Sequence, residues 1–489
     1  FFHAEDGIRD PLWSRGLGDV YKRQLFNSNK KPNVRKYCLG IHDPQHMCRG
    51  IAKLYCFRSN KCGHCRKTLK LLLIFRYQVR LFSGSIYMTI QNTFEILKDH
   101  FGERWSTSQT DLENHGHSES YFPTHAPDAV VYPLTTADVV YIVNVCHQSK
   151  IPIIGYGVGT SLEGHTSAIH GGICVDFSKM NKVLEIDPSN MSATLEPGVT
   201  REQLNHELRH SGLFFSVDPG ANATLGGMAS TRASGTTSVR YGTMRENIQS
   251  LEVVIANGEC INTNTKAKKS AAGYDLTSLF IGAEGTLGLI TKITVKLHPV
   301  PELITSGVVA FDTINDAVQA VQDITYIGIP IARLEFLDEK SVEAFNAYSN
   351  LSLPVKPHLL FELHSSEISA NEDIKSFKSA CSEYGGIDFK WSTKEEERKE
   401  LWALRHKGYY AILASAPGKR AIVTDICVPQ TKLGEAVSET QKDIVKSGIE
   451  GPILGHVGDG NFHAILLAVS YTHLRAHETR EELVCRVLR

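Results

Sequence analysis

Ile154-Gly-Tyr-Gly-Val-Gly-Thr-Ser-Leu-Glu-Gly-His165 places four glycines where a short apolar strand runs into a loop. Glycine lets the backbone adopt positive φ and come close to a ligand. Successive backbone N–H groups in such a loop form an anion-binding nest. Thr160 and Ser161 add hydroxyl donors. The loop is not the dinucleotide fingerprint, because after Gly157 and Gly159 the third position is Leu162. No Gly-Lys-Ser/Thr is present, so it is not a Walker loop either. Taken alone, the segment fits a phosphate cradle or an ordinary turn.

Working outward, the loop closes a β-α-β unit. Ala129 to Tyr132 is a short apolar strand. Thr136 to Ser149 follows with Val139, Val140, Val143 and Cys146 at helical spacing, and Ile151 to Gly155 is the second strand. Ile173 to Asp176 is another strand. Asp187-Pro-Ser-Asn190 has turn residues and joins Val183–Ile186 to Ser192–Glu196 as a hairpin. Thr200-Arg-Glu-Gln203 reads as a capping box opening a helix to about His210. Asn257-Gly258 predicts a second hairpin between Leu251–Ala256 and Glu259–Asn262. Ile290 to Leu297 alternates, and Pro299 to Pro301 reads as a domain boundary. Beyond it come strands at Ser306–Phe311, Ile331–Phe336, Leu359–His364 and Val423–Val428. Helices are expected at Asn315–Gly328, Asn371–Tyr384, Lys394–Leu413 and Lys432–Ser447. This predicts an antiparallel sheet with helices on one face.

Two further segments are built from small residues. One is Pro219-Gly-Ala-Asn-Ala-Thr-Leu-Gly-Gly-Met-Ala-Ser-Thr-Arg-Ala-Ser-Gly235, continuing to Arg240-Tyr-Gly242. The other is Gly282-Ala-Glu-Gly-Thr-Leu-Gly-Leu-Ile290. Neither has a core-forming period. Both make a surface on which a large flat ligand can lie.

Composition narrows the class. Of 489 residues 42% are hydrophobic, enough for two or three cored domains. A net charge of -1 points to neither nucleic acid nor acidic membranes as a partner. No apolar run approaches the roughly 18 residues needed for a membrane span. Five cysteines, Cys146, Cys174, Cys260, Cys381 and Cys427, are scattered singly through the folded part, a reduced pattern rather than a disulfide framework. The ends differ from the rest. Residues 1–24 and 468–489 resemble translated adaptor sequence, most clearly in VYKRQ and VSYTHLRAHE, and are set apart as non-native. Residues 25–92 are basic with few acids, as in a mitochondrial transit peptide or an untranslated leader, with Met47 a candidate start. Cys62-Gly-His-Cys65 has dithiol spacing but no β-α-β context, so it is read as coincidence.

The second half carries two chemical signals. Gly455-His-Val-Gly-Asp-Gly-Asn-Phe-His463 sets two histidines in a glycine-rich loop. They fit either a divalent metal or a hydrogen-bonded loop. Arg333 in RLEFLDE and Arg405 in LWALRH offer guanidinium forks for a carboxylate. Each also fits a structural ion pair, and Glu335 and Asp338 stand close enough in sequence to serve Arg333.

The words GVGTSLEG, VDPGA, ASGT, VRYGTMR, KSAAGYDLTSLFIGAEGTLGLIT, RLEFLDE and GHVGDGNFH together carry a resemblance. Over roughly residues 93–467 the chain resembles the vanillyl-alcohol-oxidase, or PCMH-type, FAD-binding family. Within it the match is nearest to mitochondrial D-lactate dehydrogenases that feed cytochrome c. The resemblance implies an α+β fold. A PCMH-type two-subdomain FAD-binding domain spans 93–301, and a ferredoxin-like α+β substrate (cap) domain spans 302–467. It implies that Gly155, Tyr156, Gly157, Val158, Gly159, Thr160, Ser161 and Gly164 cradle the FAD pyrophosphate. It places Pro219, Gly220, Thr224, Gly226, Gly227, Ser234, Gly235, Tyr241, Gly242, Glu284, Gly285 and Ile290 along the rest of the cofactor. Covalently flavinylated relatives carry a histidine at the position of Gly159-Thr160, and His165 comes a few residues late, so FAD is expected to be non-covalent.

The resemblance also implies roles in the cap. Arg405, ahead of Arg333, would clamp a substrate carboxylate. His456 and His463 would hold zinc or manganese. The expected reaction is oxidation of a D-2-hydroxy acid, with D-lactate foremost, and with cytochrome c or electron-transfer flavoprotein as acceptor. D-2-hydroxyglutarate, glycolate and a non-redox ether-lipid transferase on the same fold are the alternatives. Relatives that take the longer diacid carry polar groups where Val423 and Ile465 stand, which favours a small monoacid. In the family a later Gly-Glu-His-Gly motif supplies a third metal ligand and the base. Here the adaptor-like tail follows Leu467, so the chain is expected to be truncated at its C-terminus, to bind FAD, to hold metal weakly and to turn over slowly.

Overall fold

The computed structural model describes residues 90–118, 122–267, 269–350 and 352–468. The adaptor-like ends, the basic leader and the Cys62–Cys65 pair lie outside these residues, apart from 90–92 and Ala468. Among the described residues no helix is long and apolar enough to cross a membrane.

The first half builds two small layers. In the first, Thr135 caps the helix Thr136–Ser149 by accepting the Asp138 N–H, and Lys150 ends it in a left-handed turn. Its buried residues Val139, Ile142, Val143 and Cys146 form the i, i+3, i+4, i+7 stripe of an amphipathic helix. The stripe packs near three parallel strands, Ala129–Val131, Ile173–Asp176 and Ile153–Tyr156, with Trp105–Ser106 antiparallel at the far edge. Parallel neighbours need a crossover, and the helix provides it. Ile153–Tyr156 is the other edge strand, so the glycine loop leaves from the rim of this sheet.

The second layer is a five-stranded antiparallel sheet. Its order is Val183–Asp187, Ser192–Leu195, Gly288–Lys296, Ile248–Ile255, Cys260–Asn262. Both predicted hairpins are present. The capping-box reading of Thr200 holds by half. Thr200 accepts the Gln203 N–H, but the Gln203 side chain donates to the Asn181 carbonyl instead of returning to the cap. A complete box stands at Thr243 and Glu246.

The cap begins at Leu303. Strands Leu303–Ala310, Ile331–Leu337, His358–Ser365 and Ile387–Ser392 lie in the order fourth, first, third, second, all antiparallel. With the helices Ile314–Tyr326 and Ala370–Glu383 as crossovers, this is the ferredoxin-like arrangement. The sheet continues through Ile453–Gly455, Asn461–Ala468 and Arg420–Val423. Helices on one face was the expectation, and the structure corrects it. Leu359, Phe361 and Leu363 point into one apolar cluster, while Leu360 points into another with Phe345, Trp402 and Ile412. Every residue of His358–Ser365 is buried, because the sheet is covered on both sides.

The helix expected over 394–413 is two, Glu395–His406 and Gly408–Ser415. A Cβ on Gly408 would stand 2.7 Å from the Phe345 ring, so the chain turns where it presses hardest on the helix Glu339–Ser349.

Candidate functional site

A cavity of about 530 Å³ lies where the two halves meet. All three glycine-rich segments reach it, and so do Arg405, His456 and His463. Of the sequence-predicted cofactor residues, Gly155 to Ser161, Pro219, Gly220, Thr224, Gly226, Gly227, Ser234, Gly235, Glu284, Gly285 and Ile290 line it. Gly164, Tyr241, Gly242 and Arg333 do not. Gly159 turns at φ 68°, and a Cβ there would collide with the Tyr156 hydroxyl, so the loop shape requires glycine.

The cap contributes a charged cluster built on one strand. Glu335 is fully buried at the centre of Ile331–Leu337. Arg405 donates to its Oε2 from Nε at 2.9 Å and from Nη2 at 2.7 Å. His456 Nδ1–H donates to its Oε1 at 2.6 Å. Burial alone would raise the Glu335 pKa, but His456 and Arg405 outweigh it, and the carboxyl is held below its ordinary value as a carboxylate. One anion thus fixes both the guanidinium and the imidazole.

The loop Val457–Asp459 returns the chain tightly enough to bring the two imidazoles together, with ring centroids 5.5 Å apart and nearly perpendicular. His463 Nδ1–H donates to the Thr424 carbonyl at 3.0 Å. Burial first, and His456 second, push the His463 pKa down to about 4, so this ring is neutral near neutral pH. With its Nδ1 engaged as a donor and its ring neutral, His463 keeps the lone pair on Nε2, and His456, bound to Glu335 through Nδ1, has its Nε2 as the remaining ring nitrogen. A hydrogen-bonded partner on the second nitrogen is the usual support of a metal-binding histidine. The pair therefore fits a divalent cation as two nitrogen donors. Among the described residues no group of three His, Cys, Asp or Glu side chains stands together as a metal site.

Glu335 was expected to be available to Arg333, and the register assigns it elsewhere. Arg333 Nη2 pairs with Asp218 Oδ2 at 3.1 Å, its Nε lies 3.6 Å from Glu362 Oε1, and its guanidinium sits 4.6 Å from the Trp402 ring centroid. Asp338 caps the next helix by accepting the Ser341 N–H. Tyr241 joins the same interface, its hydroxyl 2.6 Å from His364 Nδ1, while His364 Nε2–H donates to Glu362 at 2.9 Å. The network ties the Asp218 and Tyr241 segments of the first half to the cap sheet. Breaking a buried pair from one side leaves uncompensated charge. Arg333→Met is expected to destabilise the chain by about 3 kcal/mol in chemical denaturation, with Asp218 and Glu362 left facing each other's field.

The sequence reading missed part of the lining. His406, Tyr409, Tyr410, Leu454 and Asp218 also face the cavity. Tyr409 follows Arg405 by four residues, the spacing that shares a helix face, and that was the available signal. Asp218 stands inside the VDPGA word and accepts from Thr236 Oγ1 and from the Thr237 N–H and hydroxyl. Val423 and Ile465 are cross-strand partners, and with Leu454 they make the cavity wall apolar beside the histidines.

Comparisons with known proteins place the chain in a family. The family model for the FAD binding domain matches residues 127–264, and that for the C-terminal domain of FAD linked oxidases matches residues 300–488. The chain is 46% identical over 358 residues to a probable mitochondrial D-lactate dehydrogenase of Danio rerio, covering 73% of this chain and 72% of that one. It is 40% identical over 373 residues to the mitochondrial D-lactate dehydrogenase [cytochrome] of Arabidopsis thaliana, covering 76% and 66%. Among solved structures it is similar to alkyldihydroxyacetonephosphate synthase, with TM-score 0.67 at 20% identity over 81% of this chain and 79% of that one. At that identity the likeness speaks for the fold, which is of the PCMH type.

Proposed function

The chain belongs to the FAD-linked oxidase family that includes the mitochondrial D-lactate dehydrogenases, and from that premise we propose that it oxidises D-lactate to pyruvate on bound FAD. The observation that carries the reading is the shared cavity. It sets the Arg405–Glu335–His456 cluster opposite the glycine-rich FAD cradle. FAD would accept the hydride from the α-carbon, the redox chemistry being the cofactor's own. Arg405 holds the substrate carboxylate, and Glu335 keeps the guanidinium in place. His456 and His463 orient the hydroxyl. Zinc or manganese bound to their Nε2 atoms would lower the pKa of that hydroxyl. FAD is held non-covalently, with His165 Nδ1 resting 3.3 Å from Ser161 Oγ. The relatives' names favour mitochondria as the site and cytochrome c as the acceptor, and electron-transfer flavoprotein is the second candidate acceptor. Cytochrome c reduction dependent on D-lactate is the test. Turnover with an L-isomer alone, or with no hydroxy acid, would refute the proposal.

D-2-hydroxyglutarate and glycolate are the rival substrates. The Val423, Leu454 and Ile465 wall offers no charge to a second carboxylate. Val423→Lys is expected to raise the D-2-hydroxyglutarate to D-lactate ratio of kcat/KM by about tenfold, the value of one charge-assisted hydrogen bond. An unchanged ratio would mean that this wall does not select the substrate.

A further inference from the structure

His115 is the next-to-last residue of the helix Gln109–Gly116 and is buried. Its Nδ1 lies 2.7 Å from the Asp111 carbonyl oxygen, and its Nε2 lies 2.9 Å from Asp176 Oδ2. Neither partner can donate a proton. A carbonyl only accepts, and so does an ionised carboxylate. Both contacts are hydrogen bonds only if both ring nitrogens carry hydrogen, which makes the ring an imidazolium. A cation in the last turn of a helix is also favoured by the helix dipole.

This cation stands directly behind the glycine loop. Asp176 is the parallel cross-strand partner of Tyr156. The Tyr156 ring lies 4.5 Å from the His115 ring between centroids, and its hydroxyl fills the space under Gly159. Asp176, His115, Tyr156 and Gly159 therefore form one column, from the sheet edge to the loop. We propose that His115 is a positioning residue, a buried imidazolium that props the Gly155–Gly159 loop through Tyr156 and makes FAD affinity depend on pH. The inference rests on the FAD-binding reading of that loop and not on the identity of the substrate.

Loss of the ring proton leaves one acceptor facing a lone pair. It also leaves the Asp176 carboxylate uncompensated beneath a loop that receives a pyrophosphate. Burial lowers the His115 pKa, but the Asp176 hydrogen bond, the Asp111 carbonyl and the fields of both carboxylates outweigh it and raise the pKa above the ordinary histidine value. The other groups that face the ring are Tyr156 and Tyr132, with Lys179 over the Tyr132 ring and Cys174 near both tyrosines. Burial, with added help from Asp111 and Asp176, pushes the Tyr132 pKa up to about 12, and burial raises those of Tyr156 and Cys174. These three stay neutral while His115 titrates. The sign follows. The raised value means that the favourable state is complete below the ordinary histidine range and is lost as pH climbs through the raised pKa.

The test is the Kd of FAD for the FAD-stripped chain, read by quenching of flavin fluorescence across pH. The wild-type Kd is expected to weaken about tenfold from acid to alkaline pH, the scale of one hydrogen bond to a charged group. His115→Gln should bind about tenfold more weakly at acid pH and lose the pH dependence. Asp176→Asn, which changes no volume, should move the inflection to lower pH, and circular dichroism checks that both variants fold. The wild-type profile needs no variant at all. FAD binding that is flat with pH, or a folded His115→Gln chain with the wild-type profile, overturns the proposal. A wild-type chain that binds no FAD at any pH removes the FAD reading of the loop, and this inference with it.

Discussion

Arg405→Met leaves flavin content unchanged and slows reduction of the bound flavin by D-lactate about a thousandfold. Two losses combine in that figure. The substrate carboxylate loses a charge-assisted partner, and the fully buried Glu335 loses two of its three hydrogen bonds. Truncating one partner of a buried charge pair costs about 2–5 kcal/mol, and each 1.4 kcal/mol is about tenfold in rate. Arg405→Lys restores the charge without the fork, because a lysine cannot reach Glu335 Oε2 from two nitrogens at once. It should recover only about tenfold. Stopped-flow mixing under anaerobic conditions measures both. A methionine variant within tenfold of wild type would remove Arg405 from the substrate site.

Gly235→Val yields a chain that no longer retains FAD, with affinity down about a hundredfold. The reason is a backbone contact rather than a lost interaction. A Cβ on Gly235 would stand 2.5 Å from the Asp218 carbonyl carbon and oxygen. Asp218 cannot retreat, being held by Thr236, Thr237 and Arg333. The neighbouring Pro219 and Gly220, which line the cavity, must then shift. The flavin-to-protein ratio after gel filtration reads this directly, and Gly235→Ala should lie between. Stoichiometric FAD in a folded valine variant would show that the segment tolerates what the geometry forbids.

The glycine loop was legible because its residues are dictated by backbone shape. Gly159 has to adopt positive φ over the Tyr156 hydroxyl, and no other residue type does that at low cost. His456 and His463 could be named because they stand in the GHVGDGNFH word, and Arg405 because the resemblance places a carboxylate-facing arginine there; all three reach the cavity. What escaped was partner assignment. Arg333 and Glu335 are two residues apart on one strand and share a face, so local spacing invites pairing them. The fold gives Glu335 to Arg405 and His456, and gives Arg333 to Asp218 and Glu362. Those contacts span more than 100 residues in the case of Asp218. No local pattern encodes them.

Secondary structure failed where tertiary contact overrides it. The break at Lys407 falls beside Gly408, which packs on Phe345, and Arg405 and Tyr409 on either side of it both line the cavity. Ile387–Ser392 went unread as a strand although Ile387, Phe389 and Trp391 alternate with polar residues, and it stands as a largely exposed edge strand of the cap sheet. The second layer of helices on the cap was also hidden. His358–Ser365 mixes histidine, glutamate and serine with its apolar residues, and Glu362 and His364 are buried in the interface network rather than exposed.

Anaerobic addition of D-lactate to the FAD-loaded chain, followed at the visible flavin band, tests the central claim most directly. The end point of this half-reaction does not depend on fast turnover or on any electron acceptor. D-lactate is expected to bleach the flavin ahead of glycolate and D-2-hydroxyglutarate, and L-lactate not at all. A bound flavin that stays oxidised with every one of these acids would contradict it and leave a non-redox use of the same fold.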